Sequence, residues 1–453
     1  MRMREKVDRS QYLFDNRALF ALILPLVIEQ MLAVLVGMAD SVMIANVGEE
    51  AVSGVSLVDS VMLLLINAFS ALATGGAVVT GQYLGQRNPE KAQEAAQQLI
   101  WFLGILAIGV MAVLYVAKNF VLHTVFGQIT AEVRGYAEVY LLIVAASIPF
   151  VALYNAGAAI FRVMGNSKVS MQVSIVMNIV NVVGNAILIY GFHRGSEGVA
   201  IPTLVSRMVA AVMILWLLGN RDLMISVPRT LHFHFDKNLV KKILYIGVPN
   251  GLENSMFQLG KIMVLSLVST FGTYAIAANA VSNVIASIQI LPGMALSLAL
   301  TTVISRCIGA NDYRQARYYT VKLHGISYVC MWVFIGITVL ALPLILKIYN
   351  LSDVTAGETE KIMLFHSVCA CLIWPIAFNL PTVFRASGDV KYSMIASIVS
   401  MWVCRIVFSY ILGKYMGFGV FGVWMAMVLD WIVRAICFLI RYKSGKWRGK
   451  AIV

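Results

Sequence analysis

The chain has 453 residues, of which 60% are hydrophobic and only 13% are charged, and its formal net charge is +13. With a mean hydropathy of +0.82, this composition excludes a soluble globular protein, because a chain of this length lacks the polar surface to cover so much apolar material. The positive charge is spread over the termini and over short loops beside apolar runs. We therefore expect membrane lipids, and no nucleic acid, as partners.

Twelve apolar runs follow one another along the chain and are predicted to be transmembrane helices. Each carries few charges and is long enough to cross a hydrocarbon core of about 30 Å. The predicted spans are 18–43, 55–81, 97–120, 135–160, 169–191, 198–219, 242–269, 280–305, 323–346, 360–383, 392–413 and 420–441. The longest polar stretch lies between the sixth and seventh spans, so we predict an N-lobe at 1–220, a cytoplasmic linker at 221–241 and a C-lobe at 242–453.

The distribution of basic residues predicts the orientation in the membrane. Most of the 35 lysines and arginines fall on the side of the N-terminus, and the segment before the first span contains Arg2, Arg4, Lys6, Arg9 and Arg17. That span is too long and too polar for a cleaved signal peptide. By the positive-inside rule, we expect a multi-pass protein of the cell membrane with both termini in the cytoplasm.

The two halves of the sequence repeat each other about 224 residues apart. The repeat aligns Pro25, Glu29, Gly48 and Ala51 with Pro249, Glu253, Gly272 and Ala275, and, after a shift of one residue, Phe161-Arg-Val-Met-Gly165 with Phe384-Arg-Ala-Ser-Gly388. An even number of spans in each half makes both repeats enter from the same side. We therefore predict an all-α integral membrane protein with two homologous six-helix lobes, related by a pseudo-twofold axis along the membrane normal and facing each other across a cavity.

Four acids lie well inside predicted spans, namely Glu29, Asp40, Glu253 and Asp430, and Asp59 lies near a helix end. Each charge in a bilayer costs on the order of 2.5–3.5 kcal/mol on insertion scales, so it needs a partner or a function. Glu29 and Asp40 lie about 20° apart on one face of the first span. Each acid could order the bundle through a neighbouring hydroxyl or amide, or could bind a transported species, and both interpretations remain open.

Amide side chains accompany these acids. Asn178, Asn181 and Asn185 form one stripe on the fifth span, where they could bind Na⁺, bind a protonated carboxyl or join neighbouring helices. The seventh span carries a polar face that should look into a wet cavity. We predict that the substrate cavity is lined by Glu253, Asn254, Gln258, Lys261, Glu29 and Asn178.

Two further features concern the helices themselves. Pro25 and Pro249 lie within the first and seventh spans, where each frees a carbonyl and is predicted to kink the helix, either as a fixed bend or as part of a gate. Asp430 and Arg434 are one turn apart on the twelfth span and can close an ion pair, with Arg405 as a third member.

The cysteines and histidines give no support to an enzyme. Most of the six cysteines lie inside spans, where apolar packing explains them, and none of the six histidines has metal-ligand spacing. The sequence also lacks a recognisable set of nucleophile and base. We expect no enzymatic activity and no cofactor.

Three blocks of the sequence resemble the multidrug and toxic compound extrusion (MATE) family, within the multidrug, oligosaccharide-lipid and polysaccharide exporter superfamily. They are Pro25 to Asp40 with its continuation to Val52, the block at Phe161 with its repeat at Phe384, and Asn181 to Gly191 followed by Gly198-Val199. The resemblance covers essentially the whole chain. It implies efflux of organic cations or amphiphilic drugs in exchange for H⁺ or Na⁺, by alternating access of the two lobes in a monomer.

The resemblance also implies a coupling site. Asp40 stands where the family has its cation-coupling acid, and its partners match Asn181 and Asn185 on the fifth span and Ser206 on the sixth. A Na⁺ ion, where used, would be held by Asp40, Asn181 and Asn185. The family often has aspartate where Asn185 stands, so this chain has one fewer acid there.

Two other classes of transport protein are alternatives: a flippase of the same superfamily and an ion channel. A flippase for a lipid-linked oligosaccharide or a peptidoglycan precursor would need several basic residues at membrane depth. Only Lys261, Arg207, Arg405 and Arg434 lie at that depth, and Arg434 can pair with Asp430. An ion channel would need a selectivity filter or a ring of charges, and the sequence has no such motif.

Overall fold

The computed structural model describes residues 12–127, 129–227 and 235–453, and this part of the chain is helical without β-strands. The predicted all-α fold is therefore confirmed. Four of the basic residues before the first span (Arg2, Arg4, Lys6 and Arg9) lie outside the described residues, as does the part of the predicted linker that contains Arg229, His232 and His234.

Within the described residues, the chain makes twelve helical passes, numbered here α1 to α12. They are α1 Asn16–Ala45, α2 Glu49–Gly85, α3 Pro89–Val116, α4 Ala131–Ala145 with Ile148–Val163, α5 Ser167–Gly191, α6 Glu197–Leu218, α7 Lys237–Ser269, α8 Thr273–Gly309, α9 Tyr313–Ile348, α10 Asp353–Ser387, α11 Val390–Tyr415 and α12 Gly419–Lys443. Each corresponds to one predicted span, and several begin earlier than predicted because their polar first turns are also helical.

Two passes depart from a simple apolar helix. Ten are individually long and apolar enough to cross a membrane, and α4 raises the number to eleven in the described part of the chain. The two halves of α4 meet at a 47° bend, where Pro149 lies in the first turn of the second half and has no N–H to continue the first. The pass that fails this test is α7, because amides, Glu253 and Lys261 lie along its length.

The two lobes, α1–α6 and α7–α12, meet through a symmetric set of helices. The helix α2 packs against α7 and α8, and α8 packs against α1 and α2. The α1–α8 and α2–α7 contacts exchange under the sequence repeat, as a pseudo-twofold axis requires. Apolar residues such as Val116 and Leu340 are largely exposed on the outside of the bundle, where lipid would cover them.

Backbone approaches backbone where α2 crosses α8, on the side of the N-terminus. A Cβ atom added to Gly85 would lie 2.1 Å from the carbonyl oxygen of Arg306, and one added to Gly309 would lie 1.9 Å from that of Gln82. The two glycines are equivalent in the sequence repeat. Only residues without a side chain fit there, so the lobes are in direct contact on this side.

The segment before α1 also joins the lobes on that side. The backbone N–H of Phe14 donates to the hydroxyl of Tyr319 on α9 over 2.9 Å, and that hydroxyl donates to the carbonyl of Phe14 over 2.6 Å. The N–H of Leu13 donates to the side chain of Gln315. The entry to α1 is therefore held by the opposite lobe.

The segment that follows α12 makes the reciprocal connection. Trp447 is fully buried, and the N–H of Ile452 donates to Oε1 of Gln82 on α2 over 2.9 Å. Lys450 contacts Asp389, which also binds the side chain of Arg441. Burial alone would raise the pKa of Asp389, but hydrogen bonds and charge from these two basic groups outweigh burial and lower that pKa below its usual value. This segment is therefore tied to both lobes.

The glycine crossing leads to a prediction about stability. Gly309→Ala must push α2 away from α8, and overpacking of this kind costs about 1–3 kcal/mol, so the apparent melting temperature of the purified protein should fall by several degrees. The matched control is Gly325→Ala on α9, where an added Cβ meets no atom within 4 Å. Since both changes raise helix propensity equally, a similar melting temperature for the two variants would contradict the close crossing.

Candidate functional site

The N-lobe contains a polar network around Asp40. The side-chain amide of Asn185 donates to Oδ1 of Asp40 over 2.6 Å and lies 3.4 Å from Oδ1 of Asn181, whose own amide donates to Thr203 over 3.2 Å. Asn181 and Asn185 are buried, whereas Asp40 is half-buried. The structure thus brings together three of the four residues predicted for cation coupling.

The fourth predicted coupling residue, Ser206, lies nearby without binding Asp40. Its hydroxyl donates to the carbonyl of Thr203 within α6. Asn178, which we predicted in the substrate cavity, is buried one turn before Asn181 and bonds to Ser174 at 3.5 Å. Both belong to the polar interior of the N-lobe, and their functional roles remain predictions.

A second acid and a half-buried cation extend this network. Asp59 accepts a hydrogen bond of 2.8 Å from the hydroxyl of Tyr140, and both Asp59 and Arg207 act electrostatically on Asp40. Arg207 is held by a 2.7 Å bond to Ser147, at the bend of α4. The network therefore places two carboxylates and one guanidinium in the same region of the N-lobe.

Glu29 forms an ion pair with the arginine of the first repeated block. Its Oε1 lies 3.4 Å from Arg162 and 3.4 Å from the Tyr154 hydroxyl, and its Oε2 accepts a 2.9 Å bond from Ser170. Glu29 is buried. The carboxylate is thus neutralised and hydrogen-bonded, as a buried charge requires.

Glu253 repeats this arrangement in the C-lobe. Its Oε2 lies 3.2 Å from Arg385, which also donates to Thr382 over 3.1 Å. Glu253 and Arg385 are the repeat partners of Glu29 and Arg162. The two ion pairs are thus one structural device used twice, and contact of either acid with substrate remains a prediction.

The polar face of α7 changes in exposure along its length. Asn250 and Glu253 are buried, Asn254 and Gln258 are half-buried, and Lys261 is exposed. The predicted cavity-lining face is therefore accessible only in its later turns. Both α1 and α7 continue as helix through Pro25 and Pro249, so a gating role for these prolines remains a prediction.

The predicted ion pair on α12 is confirmed. Nε of Arg434 lies 2.8 Å from Oδ1 of Asp430, which also accepts a bond from Ser400. Asp430 is fully buried. No group of three or more histidine, cysteine or acidic side chains suited to a metal ion occurs in the described part of the chain.

The sequence identified the intramembrane acids but not most of the side chains that bind them. The pairing of Arg162 with Glu29, and of Arg385 with Glu253, could have been inferred because both members of each pair recur in the repeat. Tyr140 carried no signal, since a tyrosine in an apolar run is ordinary.

Together, duplicated six-helix lobes and a polar interior define a membrane transporter with two homologous halves. The MatE family model matches residues 25–187 and, again, residues 249–411. The chain therefore belongs to the MATE family, and the resemblance found in the sequence is confirmed. The two matches begin at Pro25 and Pro249, the register of the internal repeat.

Two bacterial relatives match nearly the whole chain. An uncharacterised transporter of Bacillus subtilis (strain 168), YisQ, is 27% identical over 444 residues, or 96% of each chain. A probable multidrug resistance protein of Thermotoga maritima, NorM, is 25% identical over 452 residues, which cover 97% of this chain and 94% of the relative.

Solved structures share the fold. A multidrug resistance MATE family transporter of the MOP superfamily, in an outward-facing conformation, superposes with a TM-score of 0.88 at 22% identity, covering 95% of this chain and 96% of that one. A MOP superfamily transporter from Pyrococcus furiosus, described as having a binding pocket of reverse polarity that suggests a different function, gives the same values. The predicted two-lobe fold of twelve helices is confirmed.

The repeated ion pairs lead to a second prediction. Arg385→Met leaves the buried carboxylate of Glu253 without its partner, which should cost about 3–5 kcal/mol, whereas the double variant Glu253→Gln/Arg385→Met should recover most of that loss. Thermal unfolding of the purified variants measures both. Lys91→Met is the control, because it breaks the exposed Lys91–Glu94 pair, which should contribute less than about 1 kcal/mol.

The double variant also separates structure from function at this position. If it is as stable as the wild type and still transports, Glu253 acts only through the ion pair. A stable double variant that no longer transports would instead support direct contact between Glu253 and the substrate. An unchanged stability of Arg385→Met would contradict the pairing itself.

Proposed function

We propose that this protein exports organic cations or amphiphilic drugs across the cell membrane in exchange for H⁺ or Na⁺. The observation that supports this most directly is the half-buried Asp40, which is hydrogen-bonded to Asn185 and lies beside the Asn181 amide. The names of the relatives add support, since NorM of Thermotoga maritima is a probable multidrug resistance protein. The basic loops favour cytoplasmic termini in this proposal.

Exchange follows from the energetics of Asp40. A carboxylate away from bulk water is stabilised when a cation or a proton neutralises it. If a coupling ion and a cationic substrate both require the ionised carboxylate, each displaces the other. The inward ion gradient then drives the substrate outwards.

The residues around Asp40 are suited to either coupling ion. The carboxylate oxygens and the carboxamide oxygens of Asn181 and Asn185 are hard ligands of the kind that Na⁺ prefers. Oδ1 of Asn185 is buried and has no hydrogen-bond partner in the described structure, so it could accept from a bound ion or from a protonated Asp40. Ser206 would act one layer further out, through Thr203.

Transport in this proposal proceeds by rocking of the two lobes in a monomer. The lobes are in contact on the side of the N-terminus, where α2 crosses α8. A second state would open this side, with α1 and α7 bending at Pro25 and Pro249. Substrate and coupling ion must prefer different states, because a ligand with equal affinity for both shifts nothing.

The test is transport in proteoliposomes with Na⁺ and pH gradients imposed separately. Efflux of a fluorescent organic cation such as ethidium should require one of the two gradients, and Asp40→Asn should reduce gradient-driven efflux by about tenfold or more, because a neutral amide cannot exchange cations. The control is Asp222→Asn, which makes the same change at an exposed position in the loop after α6.

The outcomes separate the possibilities. Undiminished coupled efflux by Asp40→Asn would refute the assignment of Asp40. Dependence on the pH gradient alone identifies H⁺ as the coupling ion, and dependence on the Na⁺ gradient alone identifies Na⁺. Efflux that depends on neither gradient would refute coupled exchange.

A further inference from the structure

The C-lobe carries a group of cations that the N-lobe does not. Three basic side chains surround the ring of Phe257 on α7: the ammonium of Lys261 at 5.1 Å from the ring centroid, the guanidinium of Arg405 at 5.3 Å and that of Arg434 at 5.6 Å. We call these three residues the Phe257 cluster. They come from three different helices, so the fold assembles the group.

The Phe257 cluster occupies the part of the C-lobe that corresponds to the Asp40 network. The network is built on α1, α5 and α6, and the cluster is built on α7, α11 and α12, their repeat partners. In the repeat, the position of Asp40 is filled by Val264. The same three-helix framework therefore carries an acid in one lobe and an excess of cations in the other.

The charges of the cluster are not balanced within the described structure. Asp430 pairs with Arg434 at 2.8 Å, and among the described residues no other acid forms an ion pair with a member of the cluster. Lys261 and Arg405 each remain without a carboxylate partner there. One acid thus faces three cations.

Arg405 is the member of the cluster that most clearly indicates a binding site. Its side chain is only 8% exposed, and its Nε is buried without a hydrogen-bond partner in the described structure. A buried guanidinium normally has its donors satisfied, since an unpaired charge in a low-dielectric interior is costly. Lys261, by contrast, is exposed, so the cluster has an open side through which a ligand could enter.

We infer that the Phe257 cluster binds a carboxylate or phosphate group carried by an amphiphilic molecule. The planar fork of Arg405 fits two oxygens of such a group, and the ammonium of Lys261 adds a point charge beside it. Next to the cluster, Arg434 lies over the ring of Phe378, which stacks on Trp374 at 4.9 Å. Trp374 is buried, but the half-buried rings of Phe257 and Phe378 leave an apolar surface for the rest of the amphiphile.

This inference rests on the proposed function in treating the bound amphiphile as a substrate, but binding itself can be tested without transport. With an acid in the N-lobe and an excess of cations in the C-lobe, the pair of sites suits amphiphiles that carry a negative group, including zwitterions. A purely cationic drug would bind at the Asp40 network instead, because the cluster would repel it.

The test is binding of decyl phosphate to the full-length protein in nanodiscs of phosphatidylcholine, followed by tryptophan fluorescence. Decyl phosphate should bind saturably and about tenfold or more tightly than decyltrimethylammonium, which has the same chain and the opposite charge. Lys261→Gln and Arg405→Gln should each weaken decyl phosphate by about tenfold, while Lys261→Arg should stay close to the wild type.

The matched control is Lys361→Gln. Lys361 is an exposed lysine of the same lobe that lies 4.2 Å from the ring centroid of Phe421, so it shares the ring contact but lies outside the cluster. Its removal should leave binding unchanged. Since Lys261 is exposed, Lys261→Gln tests the inference even if Arg405→Gln does not fold.

A second set of nanodiscs distinguishes the source of the anionic group. If added phosphatidylglycerol abolishes decyl phosphate binding to the wild type but does not change the weaker binding to Lys261→Gln, a membrane lipid headgroup fills the cluster. If binding persists, the ligand comes from solution. Equal binding of both decyl compounds, or wild-type affinity in Lys261→Gln, would overturn the inference.

The two proposals fail separately. Asp40→Asn should bind decyl phosphate as the wild type does, because the cluster lies in the other lobe. Loss of coupled efflux in that variant with intact binding supports both proposals. If Asp40→Asn retains both coupled efflux and decyl phosphate binding, only the role proposed for Asp40 is overturned.

Discussion

The structure depends on the cost of placing a charge in hydrocarbon. The four acids placed well inside the spans meet that cost differently: Glu29 and Glu253 have arginine partners, Asp430 has Arg434, and Asp40 has an amide donor and a more distant Arg207. Three of the four are thus neutralised by the fold itself. Among these four, Asp40 alone forms no ion pair with a basic side chain in the described residues, which is why the proposed exchange centres on it.

The duplication of the sequence explains the contacts that the two lobes share, and the divergence of the two halves explains where their polar residues differ. The Glu29–Arg162 and Glu253–Arg385 pairs are retained in both halves, which is expected of contacts that hold α1 and α7 to their own lobes. The regions that differ are those centred on Asp40 and on Phe257. A transporter that kept two identical sites would treat both ends of a substrate alike, whereas these two lobes present opposite charge.

Much of the fold could be predicted from the sequence because a bilayer leaves few options. Apolar length predicted the spans, and the repeat predicted the lobes. The bend in α4 was missed because hydropathy averages over Pro149, whereas α7 was predicted from its apolar run despite the amides along it. The ion pair on α12 was predicted from a spacing of one turn. The contacts of Tyr140 and the grouping of cations around Phe257 join distant helices, and sequence spacing carries no information on such distances.

The crossing at Gly85 and Gly309 has a mechanical consequence. Where helices interdigitate side chains, separating them would require many rotamers to change together. Where main chain lies against main chain, no side chain has to be withdrawn first, so the two halves can part there as rigid bodies. The hydrogen bonds of Phe14 and Ile452 also join the lobes on this side and must be released with the crossing, so these local bonds add to the cost of separation at this seam.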